Sequence, residues 1–428
     1  MSKKYNDAKS ILEKYESRSM HGQLPIYWKS AKNSIVKDHD KKRYIDFTST
    51  IFVANIGHSN PYIKKYIRRV LRSNLIHSYT YLNKFRVEYI QKLVEFAGSP
   101  FEKAYLASSG TEATETALKL IRLYSNKVSK KNKPGIISFN GNYHGRTLGS
   151  FMMSGFEKSK SWIGYHDPNI HFIDFPYPWN VSEEQGEDFF INQLENLKKK
   201  GVNLKTDIGG IMIETFQGWG ALFYPKSFIK KLASFAKEND ILTCFDEMQA
   251  GFFRTGKKFG FMHYEVNPDI ICIGKGMGGG MPISGVLSSK LILDLPTPGE
   301  MSSTNSANPL VCAGALATLD YIKDYNISSL ALNNSLLFQN ELNKISVEFK
   351  SVLKIYGKGM IYAILFHDDN GNPDIDRANK VVDTCLNNGL IVVKTGRESI
   401  KIGPPVNISK KYLLKGLQIL KDSIIQSL

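Results

Sequence analysis

Three short stretches of this chain carry residue types and spacings that could do chemistry. The first is Asp269-Ile270-Ile271-Cys272-Ile273-Gly274-Lys275-Gly276-Met277-Gly278-Gly279-Gly280, where a single lysine follows an apolar run and precedes a glycine loop. A lysine held at the end of a buried strand is desolvated, which lowers its pKa and leaves a nucleophilic amine suited to Schiff-base formation. The second is Phe245-Asp246-Glu247-Met248-Gln249, which places Asp246 just beyond the apolar run Ile241–Phe245. A carboxylate there stands over the ligand crevice of an open sheet. It could keep a pyridinium nitrogen protonated, bind a metal or cap a loop, and nothing local decides among these. The third is Ala107-Ser108-Ser109-Gly110-Thr111-Glu112-Ala113-Thr114-Glu115-Thr116-Ala117. Ser109 and Glu112 have capping-box spacing, so a helix opens here with unpaired N–H groups and a positive dipole end, and Gly110 permits close approach of an anion. An ordinary capped helix would look the same.

Other chemistries are poorly served. Gly251-Phe252-Phe253-Arg254-Thr255-Gly256-Lys257-Lys258 satisfies G-x-x-x-x-G-K but ends in lysine where a Mg²⁺-binding Ser or Thr should stand, and no strand leads directly into it. The glycine loop after Lys275 lacks that signature altogether. None of the nine histidines forms H-x-x-x-H or H-E-x-x-H, so no metal site is expected. The G-x-S-x-G elbow of serine hydrolases is absent.

The elements that must position these groups are legible from hydrophobic pattern. Strand-like runs at Ala104–Ala107, Gly135–Phe139, Gly210–Glu214, Ile241–Phe245, Ile270–Ile273 and Ser284–Leu287 alternate with amphipathic stretches at Thr111–Leu123, Phe189–Lys200 and Pro225–Asn239. Strands too apolar to alternate, separated by helices, predict an α/β fold with a mainly parallel sheet buried on both faces and its ligands at the carboxyl ends. Before this block, Ser34–Phe47 reads as a hairpin bent at Asp38–Lys42. After it the chain reads helical over Ala317–Glu348 with a break near Asn326, strand-like at Val352–Phe366, Leu390–Lys394 and Ser399–Ile402, and helical again over Lys410–Ser427. These patterns predict a large central domain over 61–315 and a smaller α+β domain built from both ends, 1–60 and 316–428.

Composition bounds the rest. Apolar residues make up 42% and charged residues 22% of the 428, ordinary for a globular protein. No apolar run is long enough to span a bilayer, and the N-terminus lacks the apolar core of a secretory signal. Cys244, Cys272, Cys312 and Cys385 are widely spaced with no CxxC, which suits reduced thiols in the cytoplasm. The net charge of +16 could mark a nucleic-acid partner, but the basic residues are spread and their runs are short, so a solvated surface is the expectation. The charge could still draw in an anionic cofactor or substrate.

Taken in order, the motifs resemble the class III aminotransferases of pyridoxal-phosphate (PLP) fold type I, the family of ornithine, acetylornithine and 4-aminobutyrate aminotransferases. The resemblance covers nearly the whole chain. It runs through Tyr44-Ile45-Asp46-Phe47, Gly57-His58-Ser59-Asn60-Pro61, Ser109-Gly110-Thr111-Glu112-Ala113, Tyr143-His144-Gly145 and Glu214-Thr215-Phe216-Gln217-Gly218. It continues through Asp246-Glu247-Met248-Gln249, Arg254-Thr255-Gly256, Pro268-Asp269-Ile270, Gly274-Lys275 and Thr304 to Asn308-Pro309. It implies a large domain with a mainly parallel sheet plus a smaller domain from both termini, and pyridoxal 5'-phosphate carried as a Schiff base on Lys275, which later moves the proton. It also implies that Asp246 pairs with the pyridine nitrogen, Gln249 lies near the phenolic oxygen, Ser109, Gly110 and Thr111 hold the phosphate, and Tyr143 stacks on the ring. Thr304 is expected to reach the cofactor of a second subunit, so a homodimer with shared active sites follows. The implied activity is transfer of an amino group from an amine or amino acid to a keto acid or carbonyl acceptor. An aminomutase or racemase of the same fold is the alternative within PLP chemistry; a basic nucleic-acid-binding protein or a regulatory protein on the same fold stands further off.

Two positions depart from the family. Gln217-Gly218-Trp219-Gly220 lacks the glutamate that many members carry after the Gln-Gly pair, and Ile400-Lys401-Ile402-Gly403-Pro404-Pro405 puts Lys401 where many carry a carboxylate-gripping arginine. Lysine offers a point charge in place of a planar fork. Trp219, Glu214, Arg397 and Lys401 are therefore the candidate substrate residues. One reading is a changed switch that admits an amine, an amino-sugar precursor or an aromatic group against Trp219; the other is that Lys401 or Arg397 binds the carboxylate anyway.

Overall fold

The computed structural model describes residues 3–22 and 24–428. At its centre lies a seven-stranded sheet. Its strands are β1 (Lys103–Ala107), β2 (Gly135–Phe139), β3 (Ile170–Ile173), β4 (Ile208–Glu214), β5 (Leu242–Asp246), β6 (Ile270–Ile273) and β7 (Ser284–Ser288). They lie in the order β1-β7-β6-β5-β4-β2-β3. Every pairing is parallel except the two made by β7, which runs antiparallel to both β6 and β1. The expected mainly parallel α/β sheet is thus present, with β3 added at one edge. That strand escaped the sequence reading because it is only half-buried and interrupted by His171.

Successive side chains point to opposite faces of these strands, buried on both sides, and so sort into two cores. Met212, Cys244, Ile270, Cys272 and Val286 pack with Ala113, Ala117, Leu120 and Ile121 of helix α1 (Gly110–Lys127). Ile211, Ile213, Phe245, Ile271 and Ile273 face the opposite way, in the cluster holding Phe190 of α2 (Gly186–Lys199) and Phe228 and Leu232 of α3 (Lys226–Glu238). The period of two then fixes the site: Glu214 continues the face of Met212, and Asp246 that of Cys244, beneath the start of α1.

Two four-stranded sheets flank this block. In one, the antiparallel strands Trp28–Lys32, Ile35–Asp38 and Arg43–Asp46 are extended by Leu390–Ile391, which pairs parallel to Arg43–Asp46. The hairpin bend is held by Asp38, whose Oδ1 accepts from the N–H groups of Asp40 and Lys42 at 2.9 and 2.8 Å. The other is antiparallel and contains Leu353–Lys358, Ile361–Phe366, Ser399–Ile402 and Val393–Lys394. The run Leu390–Lys394 is therefore not one strand but two short ones in different sheets. Likewise the helical region begins earlier than expected, at Pro309, and breaks between Asp324 and Ile327, with Asn326 in the left-handed region. Asn308 caps it, its side chain accepting from Val311 N–H at 3.0 Å, with Pro309 at the first turn where no N–H is needed. Among the described residues no helix is long and apolar enough to cross a membrane.

Candidate active site

A cavity of about 300 Å³ opens over the carboxyl ends of the central strands. Ser109, Gly110, Thr111, Tyr143, Asp246, Gln249 and Lys275 all line it, as do Glu214, His144, Gly145 and Arg146. Of the cofactor-binding candidates, only Thr304 does not line it. Thr304 is exposed on the loop before Asn308, where its carbonyl accepts from His77 Nε2 at 2.9 Å.

The anion end is built as the capping spacing predicts. The Glu112 carboxylate folds back to accept from the N–H groups of Ser108 and Ser109, each at 2.8 Å. Ser284 Oγ of β7 donates to Ser109 O at 2.5 Å and ties the turn to the sheet. Thr111 Oγ1 shares hydrogen bonds at 2.5 Å with the hydroxyls of Thr147 and Ser150. The Glu112 N–H is met by the Ser109 side chain, which leaves the Gly110 and Thr111 N–H groups without an intrahelical acceptor and open to an anion. Gly145, at φ +142°, is needed for this packing: a Cβ there would lie 2.4 Å from Thr111 Oγ1.

At the other end, Asp246 is buried with Oδ1 accepting from Met248 N–H at 3.0 Å and Oδ2 3.0 Å from His144 Nδ1. The second nitrogen of His144 is buried with no partner among the described residues. Asp246 and Glu214 sit side by side in the β5–β4 register. Burial pushes the Glu214 carboxyl up to about 7; His144 opposes this and the neighbouring Asp246 charge adds to it. Glu214 Oε2 accepts from Tyr143 and Gly218 N–H at 3.1 and 3.3 Å.

Lys275 follows β6 with φ +42°, a strained conformation for a residue with a side chain, of the kind that gathers at functional sites. Burial lowers its amine pKa, against the raising effect of Asp246 and Glu214. Its Nζ makes no hydrogen bond among the described residues, so the amine is poised and uncommitted. The donor set suits pyridoxal phosphate: helix N–H groups and hydroxyls for a phosphate, a carboxylate for a ring nitrogen, an amide beside the ring, and a desolvated amine for an aldehyde.

The tentative substrate residues separate. Lys401 is buried and committed to protein groups, donating to Gly218 O at 2.6 Å and Gln249 Oε1 at 3.0 Å. Burial, then the nearby Lys275 charge, lowers its pKa to about 7. Arg397 is exposed and lies over the Trp219 ring, its Cζ 3.8 Å from the centroid. Trp219 is anchored by its indole N–H, which donates to Gln217 Oε1 at 2.7 Å. Sequence reasoning passed over Arg146, which lines the cavity beside Tyr143, is exposed and has no carboxylate partner among the described residues. It also passed over His144 as Asp246's partner. Both stand in or next to Tyr143-His144-Gly145, so the motif held the signal and only the side-chain geometry was missing.

The family description "Aminotransferase class-III" matches residues 17–424. The chain is 30% identical over 407 residues to an acetylornithine aminotransferase of Clostridium acetobutylicum, covering 94% of this chain and 97% of that protein. It is also 30% identical to an alanine/serine racemase of Pyrococcus horikoshii, over 95% of this chain and 87% of that one. The ornithine aminotransferase of Toxoplasma gondii, whose crystal structure has partial occupancy of PLP at the active site, shares the fold with a TM-score of 0.85. It is 24% identical and covers 98% of this chain and 94% of that one. With the family match running almost end to end, this chain belongs to the class III aminotransferases, enzymes that use pyridoxal phosphate to transfer amino groups.

Proposed function

We propose that Lys275 is the residue that carries the cofactor and moves the substrate proton. The observation that carries this reading is a desolvated, unpaired lysine amine sharing one cavity with the Asp246 carboxylate and the α1 N-terminus. Bound pyridoxal phosphate supplies an electron sink for the charge left when a substrate carbon loses a proton. The chain's own residues do the rest. Ser109, Gly110 and Thr111 anchor the phosphate through N–H groups and hydroxyls. Asp246, fixed by Met248 N–H and His144, holds a proton at the ring nitrogen. Tyr143, in the cavity lining, would cover the ring face. The Lys275 amine would hold the cofactor and, when free, would take the proton from the substrate carbon and return it as a general acid–base.

The substrates are an amine or amino acid donor and a keto acid or carbonyl acceptor. Arg146, exposed in the cavity lining beside Glu214, is the guanidinium group offered to a substrate carboxylate, while Arg397, paired with Glu398 and stacked on Trp219 outside that lining, is the second candidate. The enzyme acts as a cytoplasmic homodimer with a large domain over 61–315 and a small one from 1–60 and 316–428. Thr304 reaches the partner subunit's cofactor. Support for the dimer comes from the exposed apolar residues Ile76, Tyr81 and Leu82, 54%, 77% and 85% exposed, next to the His77–Thr304 contact.

The test is spectroscopic. Purified protein with pyridoxal phosphate should absorb near about 400–430 nm, bleach on adding an amino donor and recover on adding a keto acid. Lys275→Ala should remove both the band and the exchange. A band that survives in Lys275→Ala overturns the assignment of Lys275; bleaching without stoichiometric amino transfer points to the racemase reading instead.

A further inference from the structure

Lys401 stands on the strand Ser399–Ile402, whose residues Ile400 and Ile402 enter the main core. The alternation turns Lys401 the other way, onto the face of its sheet partners Ala363 and Val393, which pack with Phe52, Phe216 and Ala250. It is 7% exposed and does not line the cavity. Its Nζ lies 5.0 Å from the Phe52 ring centroid, and no carboxylate comes within ion-pair distance among the described residues. The two acceptors it meets are Gly218 O and Gln249 Oε1.

An ammonium group has donors and no acceptor, so the amide group that faces protonated Lys401 must present oxygen. That fixes the other half of Gln249. Its NH₂ group is turned away from Lys401 and packs against the Cα of Gly218, where a Cβ would come within 2.5 Å of Nε2. Gln249 lines the cavity, and its NH₂ donates to no acceptor among the described residues. Gln249 thus brings to the cavity lining an NH₂ group that no protein acceptor claims among the described residues.

We propose that Lys401 is a positioning residue that locks the amide of Gln249 with its N–H groups toward the ring oxygen of bound pyridoxal phosphate, rather than a residue that grips substrate. This rests on the assignment of the cavity to that cofactor and adds to it a role for Lys401, the buried basic residue hydrogen-bonded to Gln249. An unlocked amide could rotate and present its oxygen to the ring oxygen, which repels a phenolate. Lysine also completes what the backbone begins, because by holding Gly218 O it fixes the glycine against which the amide packs. The charged groups around this assembly are Lys275, Glu214 and Asp246, with the His144 ring behind Asp246.

The readout is the pH midpoint of the visible band of the PLP-loaded protein, measured for wild type, Lys401→Met, Gln249→Leu, the double variant and Lys401→Arg. Removing Lys401 should move the midpoint upward by about one pH unit, a tenfold change in the proton equilibrium. Gln249→Leu should move it similarly, and Lys401→Met should add less than about 0.3 unit in the Gln249→Leu background, since coupled residues are non-additive. Lys401→Arg retains two donors and should stay near wild type; it carries the test alone if Lys401→Met does not fold. Additive shifts in the double variant, no shift in Lys401→Met, or an arginine variant displaced as far as Gln249→Leu would each overturn the proposal. A wild-type protein with no visible band would instead overturn the cofactor assignment beneath it.

Discussion

Gly218→Ala separates the site's geometry from the fold's stability. A methyl group at this position would lie 2.5 Å from Gln249 Nε2 and 2.8 Å from Glu214 Oε1. Ordinary contacts fall at about 3.5–4.0 Å, so both neighbours must move by close to an ångström. Each is the far end of a flexible side chain and can swing, so the expected loss of stability is modest, about 1–2 kcal/mol. The swing, however, breaks the 3.0 Å bond between Lys401 and Gln249 and disturbs the Glu214 carboxylate that accepts from Gly218 N–H. A displacement of that size in groups next to the reacting centre lowers the rate by about 10- to 100-fold. The comparison variant is Gly359→Ala. There φ is +66° and a Cβ would lie 2.1 Å from Thr255 C and 2.4 Å from Gly256 N, backbone atoms that cannot swing away. It should cost about 3 kcal/mol or more while leaving the rate per folded molecule near wild type. Stopped-flow bleaching of the visible band by an amino donor, run beside urea unfolding, measures both quantities. If Gly218→Ala keeps its bleaching rate within about twofold, or loses as much stability as Gly359→Ala, the steric reasoning is wrong.

Three further outcomes are expected. Asp246→Asn keeps an acceptor for Met248 N–H but not the charge, so bleaching should slow by about a thousandfold or more with little change in unfolding midpoint; a loss under tenfold refutes the assigned role. Arg146→Ala should raise KM for a keto acid acceptor with a smaller effect on kcat, as removal of uniform binding does; an unchanged KM removes Arg146 from the substrate site. Glu247 is buried and its carboxyl is pushed up to about 7 by burial, opposed by hydrogen bonds from Thr215, Gly260 and Phe261. The folded chain thus keeps a proton that the unfolded chain releases near about 4.3, so this group's stabilisation is fullest below that value and fades as pH rises toward 7. Glu247→Gln should therefore gain on wild type by up to about 3 kcal/mol between pH 4.5 and 7.5, read from urea midpoints; a difference independent of pH refutes it.

The parts of this molecule legible in its sequence are those set by local rules. β2 and β6 were bounded correctly because every residue in them is buried and each ends at a polar or glycine turn. The α1 start was legible because capping chemistry is confined to a few residues. Helices Pro61–Arg72, Lys84–Ala97 and Ile375–Asn387 went unread, although each begins at an Asn or Asp cap; attention to that one signal would have found them. What could not be read is where a side chain goes after it leaves the backbone. Lys401 looked like a substitute for an arginine because it occupies that place in the sequence, but its direction depends on strand alternation and on where Gly218 and Gln249 arrive from far along the chain. Splitting Leu390–Lys394 between two sheets is likewise a tertiary decision: Leu390–Ile391 follows Arg43–Asp46, and Val393–Lys394 follows Ser399–Ile402.

The placement of β7 between β1 and β6 has a consequence for how the chain is made. Strand β1 has β7 as its one neighbour in the sheet, and β7 is the last of the seven strands to leave the ribosome. Until then β1 and the phosphate turn after it have no edge to join, while β2, β4, β5 and β6 can already assemble. The Ser284–Ser109 contact, which ties that turn to the sheet, therefore forms late in synthesis. Ribosome-bound chains truncated before residue 284 should protect the middle strands from protease yet leave the segment around Ser109 open to cleavage. Cofactor binding would then be a property acquired in the final third of translation, after most of the core exists.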